Sequence, residues 1–119
     1  MNVEDKASLY DALTAARKIE RFVRNVEWAE FQANEEKASA VYGQLVILGE
    51  ACTRLSPDVR SQYIDVPWRQ IIGMRNRIIH GYDEVNWEIV WQVATEHVPR
   101  LIGQVARILD ASNPPAGNQ

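Results

Sequence analysis

The chain holds one cysteine, Cys52, and two histidines among 119 residues. A single cysteine excludes an intrachain disulfide framework and gives no zinc pattern. Cys52 falls on an apolar stripe, which predicts a small buried hydrophobe. No apolar run approaches the roughly 20 residues of a membrane-spanning helix. The N-terminus is too acidic and polar for a signal peptide. A cytoplasmic protein without membrane contact is therefore expected. The acidic residues are scattered, and no His/Asp/Glu cluster has ligand spacing, so neither a metal nor another cofactor is expected. Broad positive charge is missing as well: 13 Lys and Arg against 16 Asp and Glu leave a net charge of −3. That balance argues against a wide, nonspecific grip on nucleic acid, so any such contact should be local. No internal repeat and no period-two strand pattern is found.

What is present is helical. The length suits one domain with a single core. Residues 1–111 are assigned to that domain, and 112–119, with Pro114, Pro115 and Gly117, to a disordered tail. Leu9, Leu13, Ala16, Ile19, Val23 and Val26 recur at helical spacing and predict a helix over Val3–Val26. Arg17, Arg21 and Arg24 line one side of it. They form either a solvated face paired with Glu20 and Glu27 or a phosphate-steering strip. Trp28–Gln32 reads as a turn of helix whose aromatics cap the core.

Asn34 is a plausible N-cap for Glu35–Leu55, the strongest helix in the sequence. Ala38, Val41, Leu45, Leu48, Cys52 and Leu55 form its seam, and Val46 and Ile47 widen the apolar arc. That width leaves room for a core on one side and a second subunit on another. Glu50 is placed to pair with Arg54 four residues on, or to reach inward and order Arg75. Ser56-Pro57-Asp58 restarts a helix, and Pro67 opens the next. Asp83 or Asn86 caps the last, Trp87–Asp110, in which Pro99 should produce a kink. His97, just before the kink, has no ligand-spaced neighbour and reads as structural.

The stretch Met74–Tyr82 stands out. Arg75 lies within the apolar arc of Trp68, Ile71, Ile72, Ile78 and Ile79. An arginine there needs a carboxylate, a phosphate or a subunit boundary. Asn76 and His80 are four apart and share a helix face. Arg75 and His80 lie about 140° apart around the axis. They serve one cleft if Arg75 curls round the helix or if the helix ends near His80. Gly81 suits the second option as a helix-stopping residue. Tyr82 then leaves the helix beside His80.

The run Arg75-Asn76-Arg77-Ile78-Ile79-His80-Gly81-Tyr82 resembles the Arg-x4–6-His motif of the HEPN superfamily, extended to His-x-Tyr as in the HepT-like toxins. Gly49-Glu50-Ala51, Val66-Pro67-Trp68 and Val85-Asn86-Trp87 match the HepT-like pattern in order. The likeness runs from about Leu9 to Leu109. It implies an all-α, up-and-down helical bundle of four main helices plus short connecting helices. It also implies a homodimer with both motifs facing one cleft, and a metal-independent endoribonuclease toxin. In such systems the tyrosine equivalent to Tyr82 is AMPylated by a cognate minimal nucleotidyltransferase (MNT) antitoxin. The alternative is a non-catalytic HEPN module that binds nucleotide or docks such a nucleotidyltransferase.

The chemistry asks for few groups. A base takes the proton of a ribose 2′-OH, a cation steadies the phosphate charge, and an acid protonates the leaving 5′-oxygen. Histidine titrates near pH 6.5 when unperturbed, and arginine grips phosphate with a planar fork. Arg75, Asn76 and His80 are thus the candidate catalytic residues, and Tyr82 the candidate modification site. Arg77, Arg17, Arg21 and Arg24 are candidate RNA contacts. One candidate histidine per chain supplies both acid and base most simply in a dimer.

Overall fold

The structure, a computed structural model, describes residues 1–80 and 85–112, with residues 78–80 described by their backbone alone. Helix α1 spans Val3–Val23, α2 Trp28–Ala33, α3 Glu35–Thr53, α4 Pro57–Gln62 and α5 Trp68–His80. Helix α6, Trp87–Gln92, runs through a π-helical segment, Val93–His97, into α7, Val98–Ser112. The fold is all-α, and no strand occurs among the described residues.

Local chemistry sets the ends of these helices. The Asn2 side chain caps α1 by accepting from Asp5 N at 2.7 Å. Helix α1 stops at Val23, short of the expected Val26, because Asn25 turns left-handed at φ 58°. Asparagine is one of the few residues that visit that region readily. Asn34 caps α3 through Lys37 N at 3.0 Å, and Ser56 caps α4 with Pro57 behind it. Asn86 caps α6, accepting from Glu88 N and Ile89 N; Asp83 lies outside the described residues. Ahead of Pro99, where the sequence predicts a kink, the helix carries a π segment in which Val98 N–H reaches back to Val93 O. Proline removes an amide donor, and a wider turn upstream accommodates the break in the ladder. Helix α7 carries Ser112 within it, its hydroxyl on Leu109 O at 2.9 Å.

Helix α3 is central, with α1 against one side and α5 against another, while α7 packs on α1. The α1–α3 pair is antiparallel, clasped at both ends. At one end, the Asp5 carboxylate accepts from Ser56 N at 2.9 Å and Ser56 Oγ at 2.8 Å. At the other, Lys37 Nζ donates to Phe22 O at 3.1 Å. Asp5 is buried, and these bonds replace its water.

The seam predicted on α3 is the core. Val41, Leu45, Leu48 and Cys52 are fully buried, with Leu9 and Ile19 from α1 and Val98 and Val105 from α7. Each such side chain contributes roughly 1.5–3 kcal/mol by leaving water. Phe31 lies at 4.9 Å, centroid to centroid, from Trp91 and closes one end of the bundle with Trp28.

Candidate active site

Helix α5 is held at its start by Trp68, buried, whose indole N–H donates to Tyr63 O at 2.9 Å. Ile71 is buried and Ile72 and Met74 pack at the edge of the core. The next residue is Arg75. Its aliphatic stem lies directly on the α3 backbone at Gly49. A Cβ added at Gly49 would collide with Arg75 Cβ and Cγ. No larger residue fits there without moving α5.

The guanidinium of Arg75 meets Glu50 and Asn76. Its Nη2 lies 3.6 Å from Glu50 Oε1, and its Nη1 donates to Asn76 Oδ1 at 2.9 Å. Its Nε is shut away from solvent and has no hydrogen-bond partner. Of the two roles open to Glu50, the structure takes the inward one. Arg54 turns instead to Asp11 on α1, at 3.2 Å. Two adjacent residues of α3 therefore set Arg75: Gly49 by its missing side chain, Glu50 by its charge.

Asn76 and Arg77 are exposed. His80 is the last residue of α5. Its side chain, together with Gly81 and Tyr82, lies outside the described residues. Arg75 and His80 thus stand on the same helix, His80 at its C-terminal end.

Arg17 and Arg21 are exposed on α1, and Arg24 is exposed just past its end. No ion pair joins them to Glu20 or Glu27 among the described residues; Arg21 instead sits over the Phe22 ring at 5.6 Å. That helix packs on α3 and α7, whereas α5 packs on α3. His97 is exposed at the rim of a cavity of about 240 Å³ between α5 and the last helix. Burial pushes the Cys52 thiol up from 9.0 to about 12, so it is an inert core group. Among the described residues, no group of His, Cys, Asp or Glu could hold a metal ion. No helix of the described residues is long and apolar enough to cross a membrane.

A family model described as ribonuclease HepT-like matches residues 12–108. The chain belongs to the HepT-like ribonuclease family. It is 34% identical over 100 residues to a protein of Methanocaldococcus jannaschii named "Putative RNase MJ1380", covering 84% of this chain and 92% of the relative. It is 30% identical over 108 residues to one of Thermococcus cleftensis named "Probable ribonuclease HepT", covering 91% and 98%. A third relative, "Putative RNase TTE0752" of Caldanaerobacter subterraneus subsp. tengcongensis, is 36% identical over 91 residues, covering 76% and 80%. No solved structure matches the chain.

Within this HepT-like chain, sequence reasoning missed the role of Gly49. The residue was legible as part of Gly49-Glu50-Ala51. Its use as a seat for the Arg75 stem needed the α3–α5 pairing.

Proposed function

We propose that the chain is a metal-independent endoribonuclease, the toxin of a HEPN/MNT toxin–antitoxin system. The observation that carries this reading is the seating of Arg75. An arginine stem pressed onto Gly49, balanced by Glu50 and bonded to Asn76, is a preorganised cation rather than a loose surface charge. It stands on the helix that ends at His80, in a chain of a ribonuclease family.

In this mechanism the RNA 2′-oxygen attacks the adjacent phosphorus while imidazole takes its proton. The bond from phosphorus to the 5′-oxygen breaks, leaving a 2′,3′-cyclic phosphate, and an imidazolium returns the proton to the leaving oxygen. Arg75 holds the phosphate oxygens, and Asn76 fixes the guanidinium plane. Two histidines, one from each chain of a homodimer, divide the base and acid roles. The protein works in the cytoplasm, and AMP attached to the Tyr82 hydroxyl by a cognate nucleotidyltransferase fills the cleft with phosphate.

His80→Ala should fold as the wild type and lose about a hundred- to ten-thousandfold in cleavage rate. A variant that cuts RNA at the wild-type rate contradicts the mechanism. Light scattering should give about twice the 13.6 kDa chain mass; an active monomer contradicts the shared cleft. With the nucleotidyltransferase and ATP, intact-mass spectrometry should show AMP steps on the wild type and none on Tyr82→Phe. AMP on the Phe variant would place the modification elsewhere.

A further inference from the structure

On the side of α5 away from Gly49, a groove of about 910 Å³ opens between α4 and α5 and reaches Asn76. It is an open groove whose volume lies in the upper part of the range of ligand clefts. Arg60 and Arg69 line it, with Ser61 and Gln70 as neutral hydrogen-bonding groups and Asp65 as the one acid. No carboxylate pairs with Arg60 or Arg69 among the described residues. A chain of net charge −3 thus keeps unpaired guanidinium groups here. Such groups suit an incoming phosphate.

Gly73 also borders this groove. It lies in the interior of α5, where glycine is costly. A Cβ placed on it meets nothing within 4 Å. No neighbour requires the glycine for packing, and a larger side chain there would project into open space beside the groove.

We infer that the α4–α5 groove holds the RNA strand flanking the phosphate that is cut, with Arg60 and Arg69 on its backbone phosphates. The inference rests on the ribonuclease reading above. Asn76 joins the two regions, since it lines the groove and also accepts from Arg75 Nη1. A strand lying in the groove therefore ends at the reacting cation. Because phosphates rather than base edges are gripped, binding there is tolerant of sequence.

The test uses a labelled, fully 2′-O-methylated oligoribonucleotide, which lacks the attacking hydroxyl and stays intact on wild-type protein. Its affinity is measured by fluorescence anisotropy across a salt series. Arg60→Gln and Arg69→Gln should each weaken binding several-fold and flatten the log–log salt slope by about 0.7, the value for one lost single-strand phosphate contact. Gly73→Leu should weaken binding with the slope unchanged, because it blocks without altering charge. Arg107→Gln on α7 should change neither. Arg69 and Gly73 are free of packing duties, so these two variants keep the test valid if Arg60→Gln fails to fold.

Wild-type affinity and slope in both Arg69→Gln and Gly73→Leu, with natural RNA still cut, would overturn the groove and leave the ribonuclease reading standing. Loss of dimer mass in those variants with the slope unchanged would overturn it in favour of a subunit interface. Wild-type protein that cuts no RNA would remove both.

Discussion

The two sides of α5 use glycine in opposite ways. Toward α3, Gly49 is a place where nothing more fits: a Cβ would strike the Arg75 stem. Toward α4, Gly73 is a place where nothing is near. The first glycine makes a contact and fixes a cation; the second keeps a space open. The pair shows that a glycine inside a helix has no single meaning. Its role follows from what its absent Cβ would meet, and one helix can carry a closed, positioning face and an open, receiving face.

Substitutions should separate the two faces. Gly49→Ala adds a Cβ into Arg75 and should cost about 1–3 kcal/mol as an overpacking change, despite the roughly 1 kcal/mol that alanine gains in helix propensity. Thermal denaturation should show a lower melting temperature, and RNA cleavage should fall with the displaced Arg75. An unchanged melting temperature would mean that α5 shifts freely and the seat is not rigid.

The dryness of the core has its own readout. Burial holds the Cys52 thiol protonated up to about pH 12 in the folded state, against an ordinary value of 9.0. The folded chain therefore binds one more proton than the unfolded chain between those values. Stability from this group is fully present below pH 9 and declines above it by about 1.4 kcal/mol per pH unit. Urea titrations at pH 8 and pH 10 should show that loss in the wild type and less of it in Cys52→Ala. An equal loss in both would place the alkaline sensitivity elsewhere.

Gly73→Ala should act in the other direction from Gly49→Ala. With open space around the new methyl group, it should raise stability by about 0.4–1 kcal/mol. A destabilised Gly73→Ala would mean that the groove floor is already occupied. The smallest stability effect belongs to Glu50→Gln. That ion pair is partly exposed on both sides, and screening leaves it roughly 0–1 kcal/mol. Its effect should appear in the cleavage rate instead, because the guanidinium loses its counter-charge while keeping its bond to Asn76. Equal rates for wild type and Glu50→Gln would reduce Glu50 to a solvated surface residue.

Much of the fold was legible because its signals are local. Asn34, Ser56 and Asn86 cap their helices as the sequence predicts, and the 3-4 spacing of α3 is its buried seam. Boundaries were less legible where one backbone angle decides them. Asn25 ends α1 by turning left-handed, and the π segment ahead of Pro99 replaces a simple kink.

At the site, the burden on Arg75 was readable from its place on an apolar arc. The choice of Glu50 between Arg54 and Arg75 was not, because it depends on how closely two helices distant in sequence approach. The buried Asp5 clasp on Ser56 escaped for the same reason: its partner is 51 residues away. The groove had no sequence signature at all. Arg60 and Arg69 lie on separate helices, and only their packing brings them to one opening.

In the proposed mechanism a 2′-hydroxyl, activated by histidine and without metal, cuts the strand. The most direct measurement follows one end-labelled RNA in excess EDTA, alongside the same RNA carrying a single 2′-O-methyl group at its cleavage site. The account predicts full cleavage of the first, with a 2′,3′-cyclic phosphate at the new end, and no cut at the methylated position. Cleavage abolished by EDTA, or continued cleavage at the methylated position, would contradict it.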